Sequence, residues 1–366
     1  MSTIIIFLIV IIVLVVAHEL GHFFVAKAFG VRVDEFGLGY PPRAKKLFTW
    51  KGTLFTLNWI PFGGFVKIFG EDLDEEKKDY VVKDSFSHQK LYKRLLILVA
   101  GIVANFILAV VLYSAAFSIG FLGSLQDFPN AKLVAPEQVT VGEVIKNTPA
   151  SDAGIKENDR VESLTVDNVV YVPESVDGFI KYVQSHENVP ISINILRESK
   201  KMNFVVTPKI NVVNNKPGIG IGIGETGLLR LPPLQAISFG FTYTITQFKT
   251  IILSLGVLIG SLFSGDSSVA SHLSGPIGIA KFANTAYSMG IGTLLSFMGL
   301  ISINLAVINL LPFPALDGGR MILELFSTKG RNRISPKIVN WINQIGFILL
   351  IILMLWVTYH DIFHAV

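Results

Sequence analysis

The chain has 366 residues, 51% of them hydrophobic and 16% charged, with a formal net charge of +4 and no cysteine. A mean hydropathy of +0.56, with the apolar residues gathered in blocks, excludes an ordinary soluble protein and describes a polytopic membrane protein. There is room for one soluble domain of roughly 100 residues. The small charge calls for no nucleic-acid partner, and the absence of cysteine excludes disulfides, Cys-ligated zinc and thiol catalysis.

Residues 4 to 29 form an almost unbroken apolar run, long enough to cross a bilayer as a helix. No basic residue precedes the run and no small-residue cleavage site follows it. Residues 1–29 are therefore expected to be a retained first transmembrane helix rather than a signal peptide. The far end carries His18-Glu19-Leu20-Gly21-His22. Ionisable side chains inside such a segment are costly and point to function. On a helix His18 and His22 lie one turn apart on one face, so both imidazoles reach a single ion. Glu19 is rotated away and free to handle protons. The alternative is a pair of core-facing histidines with a partner glutamate; a zinc site requires a third ligand.

Residues 30–93 are polar and rich in Lys and Arg. Val31–Tyr40, Leu47–Trp50, Thr53–Ile60 and Gly63–Phe69 read as short strands, the middle two flanking a Lys51-Gly52 turn. Poor alternation and many aromatics suit a hairpin at or dipping into the membrane surface, or an ordinary hairpin on its own small core. Glu71–Lys83 is a mixed charge run that reads as a solvated loop. Residues 94–122, with Lys90, Lys93 and Arg94 at their threshold, supply a second span.

Residues 128–212 turn soluble in character. Val139–Ile145, Arg160–Val166, Ile191–Arg197 and Met202–Pro208 read as strands, with a turn and short helix over Asn147–Asp159. Gly142-Glu143-Val144, Thr148-Pro149-Ala150, Ala153-Gly154-Ile155 and Asn158-Asp159-Arg160-Val161 resemble the pattern of protease-associated PDZ modules. The resemblance implies a domain that accepts an extended peptide at an open sheet edge, or one that serves as a spacer or plug.

Gly218, Gly220, Gly222 and Gly224 alternate with isoleucine, the pattern of a strand rather than of a phosphate-binding loop. Within residues 213–289, Leu234–Phe263 is apolar but interrupted by Ser, Thr, Tyr, Gln247 and Lys249, and is expected to be interfacial or re-entrant. Ser274-Gly275-Pro276-Ile277-Gly278 reads as a loop. Residues 290–319 hold a third span and residues 340–360 a fourth. His360 and His364, with Asp361 between them, read as interfacial residues of a tail.

The third span runs into Asn309-Leu310-Leu311-Pro312-Phe313-Pro314-Ala315-Leu316-Asp317-Gly318-Gly319. Two prolines and two glycines at membrane depth forbid a simple helix, and such backbone is tolerated only where it lines a protein cavity. Asp317 there supplies a hard oxygen ligand or caps a helix. Two His, one carboxylate and an open fourth position form a catalytic rather than a structural zinc set. Short basic loops stay cytoplasmic. The segments holding Lys27, Arg32, Arg43, Lys45 and Lys46, and then Arg320, Lys329, Arg331, Arg333 and Lys337, are both basic. The termini and the soluble domain are therefore expected outside, with the histidines and Asp317 toward the cytoplasmic side. That arrangement requires Leu234–Phe263 not to cross. The expected fold is a polytopic α-helical membrane protein of four transmembrane helices, with a membrane-associated β-hairpin region and one inserted extracytoplasmic PDZ (α+β) domain.

With both motifs in place the chain resembles the bacterial site-2 proteases of the RseP type, in the single-PDZ subgroup. The residues carrying the resemblance are His18–His22, Ile60-Pro61-Phe62-Gly63-Gly64-Phe65-Val66-Lys67, Ser274–Ala280 and Asn309–Gly319. It implies a multi-pass protein of the bacterial cytoplasmic membrane, with His18, His22 and Asp317 as Zn2+ ligands and Glu19 as catalytic acid/base. It further implies that a hairpin strand containing Gly64, Val66, Lys67 and Ile68 holds an unwound substrate by strand addition. Asn309 is implied to bind substrate backbone, with an interhelical hydrogen bond as the alternative. The implied partners are single-span membrane proteins, such as anti-sigma factors or remnant signal peptides, and the lipid bilayer. A metal transporter and a catalytically silent PDZ scaffold are the other functions weighed.

Overall fold

The computed structural model describes residues 3–71, 82–123, 132–197, 200–210, 216–264, 275–328, 331–332 and 336–363. It divides into two compact units. One comprises Met1–Ser114, Ile237–Asn284 and Leu295–Val366, the other Ala115–Ala236 and Thr285–Leu294.

The first unit opens with α1 (Thr3–Ala28), followed by an antiparallel pair, β1 (Val33–Trp50) and β2 (Thr53–Ile68). The pair turns at Lys51-Gly52, both at positive φ. The strands are far longer than the four short ones expected, and they curl. Phe36 pairs with Val66 on one side and with Phe55 on the other, while Lys45 pairs with Leu57 and Trp50 with Thr53. The ribbon therefore has four lanes, in the order 64–68, 33–38, 54–57 and 45–50. Among the described residues, the outer edge of 64–68 has no strand beside it.

The inner end of α1 is the nail on which this ribbon hangs. The ring of Phe23 lies 5.7–5.9 Å from those of Phe36, Trp50 and Phe55. Val31, Val33, Ile68, Phe86 and Ile97 close the same cluster. α2 (Leu91–Ile119) runs antiparallel to α1, at a separation that only small residues allow. A Cβ on Gly21 would stand 2.3 Å from the carbonyl oxygen of Ala100.

α5 (Pro233–Ser264), α6 (Pro276–Ser288), α7 (Ile291–Leu310), α8 (Asp317–Leu325) and α9 (Pro336–Phe363) complete the helices; α3 and α4 belong to the second unit. α7 lies against α2, with Ser302 Oγ donating to the Asn105 carbonyl at 2.8 Å. α9 packs on the loop after α7, where Gly346 meets Pro314. Five helices are long and apolar enough to cross a membrane: Thr3–Ala28, Leu91–Ile119, Pro233–Ser261, Ile291–Leu310 and Trp341–Tyr359. The third is the stretch expected to be interfacial. Its scattered Ser, Thr and Tyr do not break it, because Thr242, Thr244 and Thr246 return their hydroxyls to carbonyls on the preceding turn.

One further expectation is corrected. Pro276 opens a helix instead of lying in a loop, since proline at the first helical position costs no backbone hydrogen bond; Ser274 is outside the described residues. Asp361, between the two tail histidines, has a structural role. It is buried and its carboxylate accepts from the N–H groups of Gly275 and Gly278, capping α6. His364 is outside the described residues.

The second unit is built on a seven-stranded sheet. Its strands are β3 (Phe121–Gly123), β4 (Lys132–Val144), β5 (Arg160–Val166), β6 (Val169–Tyr171), β7 (Ile191–Arg197), β8 (Lys200–Val206) and β11 (Ile221–Arg230). The order is β3-β11-β4-β5-β7-β8, with β6 on β5, and β9 (Lys209–Ile210) and β10 (Pro217–Gly218) pair separately. α3 (Pro149–Ala153) and α4 (Val176–Ser185) cover a core of Val139, Val141, Leu164, Phe179, Ile191, Ile193 and Ile195. The sequence reading placed β5, β7, β8, the second half of β4, the glycine-rich part of β11 and α3, but not β3, β6, β9 or β10. It missed α4, which Ser175 starts by accepting from the Gly178 N–H.

Candidate metal centre

Three side chains distant in sequence converge at the inner end of α1. His18 and His22 project from one face of that helix, their Nε2 atoms 3.2 Å apart. Asp317 Oδ2 lies 3.1 Å from His18 Nε2 and 3.4 Å from His22 Nε2. Among the described residues this is the group of His and carboxylate side chains able to hold a metal ion.

Asp317 reaches them because the chain folds sharply after α7. Ala315 takes a left-handed φ of 71°, which a side chain bears only at a cost of ~1–3 kcal/mol. α8 then begins at Asp317 and lies directly on the turn. A Cβ on Gly318 would meet the Leu311 carbonyl oxygen at 2.3 Å, and one on Gly319 that of Phe313 at 2.1 Å. The two glycines after Asp317 are therefore needed for close approach.

The donor set fits zinc by an internal measure. Tetrahedral zinc with bonds of about 2.0–2.1 Å separates neighbouring donors by about 3.3–3.4 Å. The three edges here are 3.1, 3.2 and 3.4 Å. Asp317 Oδ2 is also buried without a hydrogen-bond donor, a costly state for a carboxylate unless a cation takes its place. His22 Nδ1 is 2.8 Å from the Ile97 carbonyl. That carbonyl can only accept, so Nδ1 carries the proton and Nε2 presents its lone pair.

Glu19 stands outside the donor triangle and has no hydrogen-bond partner among the described residues. Beside it passes β2: a Cβ on Gly64 would lie 3.7 Å from Glu19 Cγ. Val66 and Lys67 follow on the same lane, half-buried and exposed, and Ile68 is buried at its end. A cavity of about 300 Å³ adjoins this edge, lined by Phe65, Val66, Lys67, Ile68, Glu71 and Arg320. Glu71, expected in a solvated loop, instead pairs with Arg320 of α8; residues 72–81 are outside the described residues. Asn309 sits half-buried in the last turn of α7, with no side-chain hydrogen bond among the described residues.

Sequence reading missed Gly101. A Cβ there would lie 2.3 Å from His22 Nε2 and 2.8 Å from His18 Nε2, in the space before the donors. The available signal was a glycine inside an apolar span, which in membranes marks close approach of another element.

The family model for peptidase family M50 matches residues 6–353. A protein of Clostridium perfringens, named as a candidate zinc metalloprotease, is 34% identical over 95% of each chain. The probable protease eep of Enterococcus faecalis is 28% identical over 99% of each chain. The zinc metalloprotease RasP of Bacillus licheniformis is likewise 28% identical over 99% of each chain. A group of side chains able to hold a metal ion at the end of an apolar helix and a match along nearly the whole chain lead to one conclusion: the chain belongs to peptidase family M50, the site-2 proteases, and is an intramembrane zinc metalloprotease.

Proposed function

We propose that His18, His22 and Asp317 hold the zinc, that Glu19 is the acid/base, and that the substrate is an unwound stretch of a single-span membrane protein. The observation that carries this is the donor triangle, whose edges match those of tetrahedral zinc and leave Glu19 outside. When bound, zinc supplies Lewis acidity toward water and the scissile carbonyl. The Glu19 carboxylate takes a proton from the attacking water and delivers it to the leaving amine. A substrate helix hides its carbonyls in its own hydrogen bonds. The open edge of residues 64–68 offers replacement partners, and it runs past Glu19 at Gly64. Asn309 is a further donor and acceptor for the unwound backbone.

The topology we propose has four complete crossings, with both termini and the second unit outside and the zinc site toward the cytoplasm. The basic loops support it. So does the antiparallel packing of α7 on α2, with Gly299 against Tyr113 and Ser302 against Asn105. α7 then re-enters on the side where α2 leaves, so the chain between them makes no net crossing. α5 runs back along α2, with Gly240 at Ser114 and Phe248 at Phe106, and in a four-crossing chain it is re-entrant. The second unit we read as a PDZ domain. Among the described residues, the edge of β11 away from β4 is open over Ile221–Thr226, and Glu225 ties β11 to the start of α4 by accepting from the Val176 N–H at 2.8 Å. An extended peptide from a substrate fits that edge.

The test is cleavage of a defined transmembrane substrate by wild type and Glu19→Gln, with bound zinc measured in both. The variant is expected to keep its zinc and lose at least ~100-fold in rate. Cleavage surviving in it would sink the mechanism.

A further inference from the structure

We infer that Asn105, on α2, is a positioning residue of the zinc site: its Oδ1 accepts a hydrogen bond from His18 Nδ1–H and so fixes the tautomer that presents Nε2. This rests on zinc lying between His18, His22 and Asp317.

Both histidines must show a bare Nε2 to one ion, which requires the proton of each ring to sit on Nδ1. For His22 the Ile97 carbonyl meets that requirement at 2.8 Å. For His18 the group facing Nδ1 is the fully buried amide of Asn105, at 3.3 Å. Ile97, Gly101 and Asn105 are spaced four apart, so they form one stripe along α2. Because α1 runs antiparallel, the stripe serves the two rings in turn, and Gly101 between them leaves the ion its room.

Nδ2 is the atom of Asn105 nearest the ring, and Oδ1 is buried and unpartnered among the described residues. The two ends of an amide are alike in shape but opposite in role, Nδ2 donating and Oδ1 accepting, and half a turn exchanges them. With Nδ2 toward the ring, Nδ1 must be bare and the proton moves to Nε2, where it points at Asp317 and blocks the ion. Half a turn gives Oδ1 a donor and returns the proton to Nδ1. The backbone that carries this amide is held independently, since Ser302 of α7 donates to the Asn105 carbonyl. The side chain is therefore not needed to seat α2.

The experiment compares zinc affinity of the full-length protein in detergent, by chelator competition, for wild type, Asn105→Leu, Asn105→Asp and His18→Ala. Cobalt-substituted absorption spectra are recorded for each. Asn105→Leu keeps the volume without an acceptor and is expected to bind zinc about 10- to 100-fold more weakly. Asn105→Asp can only accept, and is expected to stay within a few-fold of wild type with an unchanged cobalt spectrum. Wild-type affinity in the leucine variant, or an aspartate variant as weak as the leucine one, overturns the assignment. If the leucine variant does not fold, Asn105→Ala, which also removes the acceptor, takes its place with the same expected loss, and wild-type affinity in it overturns the assignment. Undiminished zinc binding by His18→Ala would instead overturn the ligand set on which the inference rests.

Discussion

Arg94, in the first turn of α2, forms an ion pair with Glu324, in the last turn of α8, and the arginine side chain is only 2% exposed. Asp317, Arg320 and Glu324 share a face of α8. The helix that delivers the carboxylate is thus held at two further points, by Arg94 and by Glu71. Removing one partner of a buried pair leaves an uncompensated charge and costs about 3–5 kcal/mol, whereas replacing both by apolar groups is often neutral. Arg94→Met is therefore expected to destabilise strongly in denaturant titrations, and Arg94→Met/Glu324→Leu to recover most of the loss. Additive losses in the double variant would show that the pair is not coupled.

Gly101→Ala puts a methyl group against the Nε2 atoms of His22 and His18, where the proposed ion would sit. Zinc content is expected to fall by at least ~10-fold. Alanine favours a helix over glycine by about 1 kcal/mol, so any loss of zinc runs against intrinsic helix propensity. Gly256→Ala, on α5 with nothing within 4 Å of the added Cβ, is the control and should bind zinc normally. Equal zinc content in the two variants would show that the space before the donors is not used.

Along the open edge, successive residues alternate between inward and outward backbone hydrogen bonds. Of Val66→Pro and Lys67→Pro, one removes an outward N–H and the other an inward one. The outward loss should lower cleavage of a helical substrate by about 2- to 10-fold, the worth of one hydrogen bond, with zinc content intact. Cleavage at the wild-type rate in both variants would exclude strand addition at this edge.

The chain has no cysteine, so single introduced thiols report sidedness without background. Val169→Cys, 67% exposed in the second unit, should be labelled only from outside, and Lys46→Cys, on the ribbon, only from the cytoplasm. Ala270→Cys labelled from the cytoplasm would mean that α5 crosses completely.

What the sequence disclosed and what it hid follow the range of the interactions. His18 and His22 were legible because helical spacing alone brings them together, and Asp317 because prolines and glycines at membrane depth demand a cavity. Gly101 and Asn105 lie in an apolar block whose residues look alike until the facing helix is known. The cap on α6 was hidden for the same reason, since Asp361 sits far along the chain from Gly275. The curl of the ribbon was illegible because Phe36 pairs on both sides, which no alternation pattern encodes. α4 had a local signal in Ser175, obscured by the Val169–Val172 run before it.

The donors and their support come from α1, from the Ile97–Asn105 stretch of α2 and from the start of α8. During synthesis the first two helices enter the membrane with two imidazoles and a glutamate already in place. The carboxylate arrives only with residue 317, after the second unit and α7 have been made. On the proposed ligand set, a growing or truncated chain carries no complete set of donors. With the zinc held as proposed, the split of the site between the two ends of the sequence would delay the onset of proteolysis until nearly the whole protein has been inserted.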